Sequence, residues 1–213
     1  MTVVIKDNGK RRLQYDPARL EASLREHMVG LDIPHDFAEE YIQKTLRQVG
    51  NREEIDFKDI NTIAINNALE LVDQLQGDFG TVDISLLGNT NFQMVAKRVL
   101  LNSLYKRASK NRSYDPDKKY GDFFGLISTL AEKGLYHTNL LEDYSKEELI
   151  KAGSLINPDR DQLLTYASLY YMSNRYMVRD KDKGRSIYEL PQERFMIIAL
   201  AVSRLEIKKL EWK

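Results

Sequence analysis

Five basic residues, Lys6, Lys10, Arg11, Arg12 and Arg19, lie within the first nineteen positions. Among them stand a turn, Asp7-Asn8-Gly9, and a helix start, Asp16-Pro17. The first turn of a helix has N–H groups without intrahelical partners and carries the positive end of the helix dipole. Cations converging beside it make a seat for phosphate groups. The same residues also suit a basic hairpin that meets only water, and residue types alone leave both readings open.

Two further groups could carry chemistry. Asp159 and Asp161 flank Arg160, and two carboxylates at close quarters can work as an acid/base pair. The simpler reading is a helix start with Arg160 as the hub of ion pairs, since carboxylates favour the positive helix end. Glu193-Arg194 reads the same way, as packing and ion pairing. Tyr166, Tyr170, Tyr171 and Tyr176 could suggest a radical path, but their spacing along one apolar helix fits core packing. The sequence has no cysteine, which excludes disulfides, thiolate metal sites and cysteine nucleophiles. Its three histidines, His27, His35 and His137, are far apart, so no metal site is expected.

The elements that must position these residues follow from pattern. Thr2 to Lys6 and Arg11 to Tyr15 read as the arms of a hairpin. Asp16-Pro17 starts a helix through Leu20, Leu24 and Met28, and Gly30 stops it. A second helix runs from Pro34 to Val49, with Phe37, Tyr41, Ile42, Thr45 and Leu46 on one face. A third begins at Asp56 or Asp59 and carries Ile60, Ile63, Ala64, Asn67 and Leu71. A fourth spans about Asn91 to Ala108. Asn111 to Lys119 is polar and turn-rich and predicts a domain boundary or an exposed linker near it. Beyond it come a helix from Tyr120 to Lys133, a capping box at Ser145 and Glu148, and a helix from Asp159 to Tyr176. A hairpin around Asp180 to Gly184 and a last helix from Pro191 complete the chain.

Hydrophobic residues make up 42% of the sequence and charged residues 30%, with 32 cations balancing 32 anions. That composition predicts a folded globular chain without bulk attraction to nucleic acid or anionic membrane. No apolar run reaches the roughly 18 residues of a membrane span. The expectation is an intracellular, cytoplasmic protein.

The opening stretch VIKDNGKRRLQYDPARL resembles an ATP-cone, whose pattern is V-x-K-R-D-G, an aromatic or aliphatic residue, then a helix with a basic residue. Val4, Lys6, Gly9, Tyr15, Asp16 and Arg19 match it, and the helix pair and IDFKDINTIAINNAL follow in the cone's order. Asp7 stands where arginine is usual, the stretch from Gly9 to Tyr15 is one residue longer, and Asn61 replaces a histidine of some members. The resemblance implies an ATP/dATP effector site, with Mg accompanying the nucleotide. Lys6, Arg19 and Lys106 would contact phosphates. Val4 and Gln14, Tyr15 and Asp16 would line base and sugar, with Phe57 and Asn61 beside them. Asp7 would repel phosphate or bond a neighbouring cation or the sugar.

Residues 120 to 200 resemble the N-terminal domain of a class I ribonucleotide reductase large subunit. The residues that carry this are Leu141-Glu142-Asp143-Tyr144, Asp159-Arg160-Asp161, the Tyr176 to Arg179 strand and Glu189-Leu190-Pro191-Gln192-Glu193-Arg194-Phe195. The resemblance implies a mainly α fold: a four-helix cone with a small β lid over 1–108, a helical large-subunit domain over 109–201, and a divergent tail over 202–213. It implies an N-terminal regulatory fragment, truncated before the catalytic barrel. The alternative is a structural piece of a split reductase that binds no nucleotide. Its partners would be the rest of the large subunit and a radical-generating small subunit, with a homo-oligomer through the cone. The family's chemistry uses cysteine thiols, and this sequence has none. The chain alone is therefore expected to reduce no ribonucleotide. An assay with a radical-generating subunit, reductant, nucleoside diphosphate and ATP checks this, and deoxynucleotide above background contradicts it.

Overall fold

The computed structural model describes residues 2–6, 9–77, 88–181, 184 and 186–211. They form two compact units, Met1–Leu101 and Asn102–Lys213. No helix among the described residues is long and apolar enough to cross a membrane.

The first unit opens on β1 (Val3–Lys6), paired antiparallel with β2 (Arg11–Gln14). A third strand, β3 (Glu54–Asp56), pairs parallel with β1, so the order is β2-β1-β3. The sequence pattern predicts a helix start at Asp56. The three residues of β3 alternate around a buried Ile55, too short a run for period-2 patterning to stand out. Helices α1 (Pro17–Met28), α2 (His35–Gly50), α3 (Phe57–Gly77) and α4 (Gly88–Arg112) follow. Asp16 caps α1 by accepting from the Arg19 N–H at 3.1 Å, with Pro17 just inside, as the sequence predicts. Gly30, at φ +73°, turns the chain out of the helix.

The helices bury the predicted faces. Tyr41, Ile42, Thr45 and Val49 of α2 meet Ile63, Ala64, Ala68 and Leu71 of α3 and Phe92, Val95 and Val99 of α4 among the buried residues. Tyr41 and Phe92 pack edge to face, 5.8 Å between centroids. Asn67 is buried too, donating to Thr45 Oγ1 at 3.0 Å, and Thr45 donates to the Tyr41 carbonyl at 2.8 Å. That chain satisfies polar groups that would otherwise cost free energy in the core.

In the second unit α4 runs on past Ala108 to Arg112, and a 3-10 turn follows at Pro116–Lys118. Ser113 and residues 115–118 are exposed, as expected of a linker, and the segment is also anchored. Asn111 donates to the Ile187 carbonyl at 2.7 Å and Tyr114 to the Lys119 carbonyl at 3.0 Å. Helices α5 (Phe123–Glu132), α6 (Asn139–Asp143) and α7 (Lys146–Ser154) come next. The capping box at Ser145 and Glu148 is present as predicted. Phe123, Leu126, Ile127, Leu130, Leu140 and Leu149 form the main core here. Gly153 lets α5 and α7 approach, because a Cβ there would come within 2.6 Å of Phe123 Cβ.

The expected helix from Asp159 to Tyr176 is three pieces: a 3-10 helix (Pro158–Leu163), α8 (Tyr166–Tyr171) and a π-helix (Met172–Tyr176). Thr165 interrupts the run by capping α8 in a box with Ser168. Tyr176 thus ends a helix and does not start a strand. The hairpin is β4 (Arg179–Asp180) with β5 (Ser186–Ile187); Asp182, Lys183 and Arg185 lie outside the described residues. Helix α9 spans Pro191–Glu211.

One side chain fixes the exit of α1. The Arg98 guanidinium donates to the His27 carbonyl at 3.0 Å and the Val29 carbonyl at 2.7 Å, placing a cation on the negative helix end. Arg98→Ala should destabilise the first unit by about 1–2 kcal/mol, measured by urea unfolding, with faster amide exchange at Val29 and Leu31.

Candidate functional site

The sheet and the start of α3 bring part of the expected site together. Val4, Val49, Ile55, Ile60 and Ile63 make one buried cluster, and Tyr15, Leu20 and Phe57 pack against it. The Lys6 ammonium lies over the Phe57 ring, 4.8 Å from its centroid, a cation–π contact. The Tyr15 hydroxyl reaches the Leu46 carbonyl at 3.5 Å, and burial, with Asp16 adding, pushes its pKa up. Val4, Lys6, Tyr15 and Phe57 are therefore neighbours although they are spread over more than fifty positions.

The other candidates stand differently. Gln14 is exposed on β2, opposite Val3. Asp16 spends a carboxylate oxygen on the α1 cap. Arg19 is exposed, and Asn61 is half-buried one turn after Phe57. Lys106 is exposed and belongs to the second unit. Asp7 lies outside the described residues. Among the described residues no cluster of three histidine, aspartate or glutamate side chains could hold a metal ion.

In the second unit the motifs resolve into buried networks. Glu193 is fully buried and ion-paired with Arg112 at 2.7 Å, and its other oxygen accepts the Leu190 N–H at 2.8 Å. Arg112 also donates to the Tyr188 carbonyl at 3.4 Å and the Asp122 carbonyl at 2.6 Å. Glu189 accepts from the Tyr136 hydroxyl and the Val178 N–H, and Arg194 donates to the Tyr136 hydroxyl at 2.6 Å. Burial raises the Glu189 pKa against the pull of these donors. Burial likewise pushes Glu193 up to about 7, opposed by Arg112 and raised further by Glu189.

Asp161 is also fully buried. It accepts from the Tyr105 hydroxyl, from the Tyr120 hydroxyl at 2.9 and 3.0 Å, and from the Gln192 amide at 2.8 Å. Both oxygens are taken by neutral donors, so the carboxylate holds two tyrosines and a glutamine in place. Arg160 is not the expected ion-pair hub: it donates to the Leu155 carbonyl at 3.3 Å. Asp161 is held by its tyrosine and amide donors, and Arg160 turns back to a carbonyl five positions earlier. Asp161 and Gln192 line an open groove of about 370 Å³ whose walls include Leu155, Leu163, Phe195 and Met196.

The tyrosine series is not core. Tyr170, Tyr171 and Tyr176 are 47%, 54% and 62% exposed, and Tyr166, Tyr170 and Tyr171 meet ring to ring at 6.0 and 5.9 Å. The break at Thr165 and the π-helix change the phase assumed for one continuous helix. Buried tyrosines sit elsewhere, at Tyr41, Tyr105 and Tyr188.

The described residues thus form a small sheet on four helices, followed by a helical unit with these buried networks. The family model described as "Ribonucleotide reductase, all-alpha domain" matches residues 162–213. The ribonucleoside-diphosphate reductase subunit alpha of Enterobacteria phage T4 is 33% identical over 135 residues, 61% of this chain and 17% of that protein. The subunit alpha of Synechocystis is 29% identical over 163 residues, 76% of this chain and 18% of that protein. That of Treponema pallidum is 34% identical over 91 residues, 42% of this chain and 10% of that protein. Over these stretches the chain is similar to ribonucleoside-diphosphate reductase alpha subunits. What it matches is less than a fifth of the length of each of these relatives.

Glu193 generates a pH prediction. Its folded carboxyl holds a proton to about pH 7, and the unfolded one only to its ordinary value of 4.5. Between those values the folded state binds more protons. The stabilisation is complete below the lower value and is lost as pH rises through the upper one. Thermal unfolding from pH 4.5 to 8 should show this decline, and Glu193→Gln should flatten it.

Proposed function

We propose that the first unit binds ATP or dATP as an allosteric effector of a ribonucleoside-diphosphate reductase. Mg would accompany the phosphates, and the second unit would be part of the large subunit on which the effector acts. The observation that carries this is the Lys6–Phe57 contact beside Val4 and Tyr15, in a chain related to reductase alpha subunits. An ammonium held against an aromatic ring at the edge of an apolar cluster offers phosphate a cation and a base an apolar wall. Arg19 at the start of α1 adds a further cation. Deoxyribonucleotide synthesis would be the activity served. The partners would be the rest of the large subunit, a radical-generating small subunit and further copies of the chain, in the cytoplasm. Nucleic acid and membrane have no part in it.

An effector shifts assembly or activity only through different affinities for the two states. ATP would favour the active enzyme and dATP an inhibited oligomer. A second reading is a structural piece of a split reductase that binds no nucleotide. Asp7 favours it, because a carboxylate next to Lys6 in sequence opposes phosphate.

Calorimetric titration of the chain with ATP and dATP separates the two. The effector reading expects saturable binding, weakened about tenfold by Lys6→Ala. A folded chain that takes up neither ligand at millimolar concentration supports the structural reading instead.

A further inference from the structure

The register of the sheet sorts its cations by face. Lys6 is directly opposite Arg11, and Ile5 is opposite Arg12. Opposed residues of antiparallel strands share a face, and neighbours along a strand alternate. Lys6 and Arg11 therefore share the face of Val4, which is buried in the cluster that Phe57 covers. Arg12 falls on the other face with Ile5, where it is ion-paired with Glu54. The third strand agrees, since Glu54 is in register with Val3 and Ile55 with Val4.

The position after Lys6 in sequence is an acid, Asp7, so a second cation for a phosphate group comes from across the ladder. Arg11 is exposed, and Lys6 is half-buried with its ammonium over Phe57. A polyphosphate anion placed between two cations opposed across the strands can be held by both. A guanidinium at such a place grips two phosphate oxygens at once, which an ammonium does not.

We propose that Arg11 is the second phosphate ligand of the first unit, paired with Lys6 across β1 and β2 in a seat for a polyphosphate anion. This rests on the nucleotide reading above and adds a residue to it. Arg12, one position along, takes no part because it faces away with Ile5.

The test is calorimetric titration of the full chain at low salt with sodium tripolyphosphate, ATP, GTP and adenosine. The proteins are the wild type and the Arg11→Ala, Arg11→Lys and Arg12→Ala variants, each checked for folding by circular dichroism. Arg11→Ala should weaken tripolyphosphate and ATP about tenfold and leave adenosine unchanged. Arg11→Lys should recover part of the loss, Arg12→Ala should bind like the wild type, and the Arg11 effect should shrink as salt is raised. The proposal is overturned if Arg11→Ala binds tripolyphosphate like the wild type, or if Arg12→Ala loses as much. It is overturned together with the effector reading if the wild type binds neither anion. An Arg11-dependent seat that takes GTP as well as ATP supports this proposal and refutes the adenine-nucleotide reading alone.

Discussion

The second unit depends on one buried ion pair. Arg112, the last residue of α4, and Glu193, in the first turn of α9, meet at 2.7 Å with almost no exposure to water. Such a pair contributes little net stability, but neither partner tolerates loss of the other. Its consequence is positional. Arg112 spends its remaining donors on the carbonyls of Asp122 and Tyr188, so the cap of α5 and the end of the hairpin are tied to the same guanidinium. Glu193 caps its own helix through the Leu190 N–H. Glu189, four positions earlier, holds Tyr136 and the Val178 N–H. The run from Glu189 to Arg194 is thus a set of clamps, and its residue types are those that bonding a buried chain reversal demands.

Much of this architecture was legible in the sequence. The helix starts at Asp16-Pro17 and Ser145 carry local signals whose physics is complete within four residues. The apolar faces of α2 and α3 repeat long enough to fix the period. Three features were not legible for the opposite reason. Strand β3 has three residues and takes its identity from pairing with β1. The helix from Asp159 to Tyr176 seemed continuous because its breaks are made by Thr165 capping α8 and by a π turn, neither of which disturbs composition. The polar run after Asn111 reads as a linker until Ile187 and Glu193, more than seventy positions away, supply its partners.

The candidate site divides along the same line. Val4, Lys6, Tyr15 and Phe57 come together because a sheet lies on the start of a helix, an arrangement that family resemblance anticipates and residue spacing does not. Arg11 was visible only as one of several cations. The register that separates it from Arg12 exists only once β1 and β2 are paired. Asp161 was singled out for an ionic role and has a neutral one, because the tyrosines that bind it come from α4 and from Tyr120, remote in sequence.

The π-helix at Met172–Tyr176 has an evolutionary corollary. A π turn is an α-helical turn that holds one residue too many. The chain on its far side is fixed independently: Glu189 grips the Val178 N–H, and Arg179 bonds back to the Ser173 carbonyl. A residue inserted into an ancestral α8 would be absorbed as this widened turn without moving β4 or the clamps beyond it. The same turn gives Tyr176 an orientation of its own relative to Tyr170 and Tyr171. An insertion here would redesign an exposed aromatic surface while the hydrogen-bonded frame behind it keeps its place.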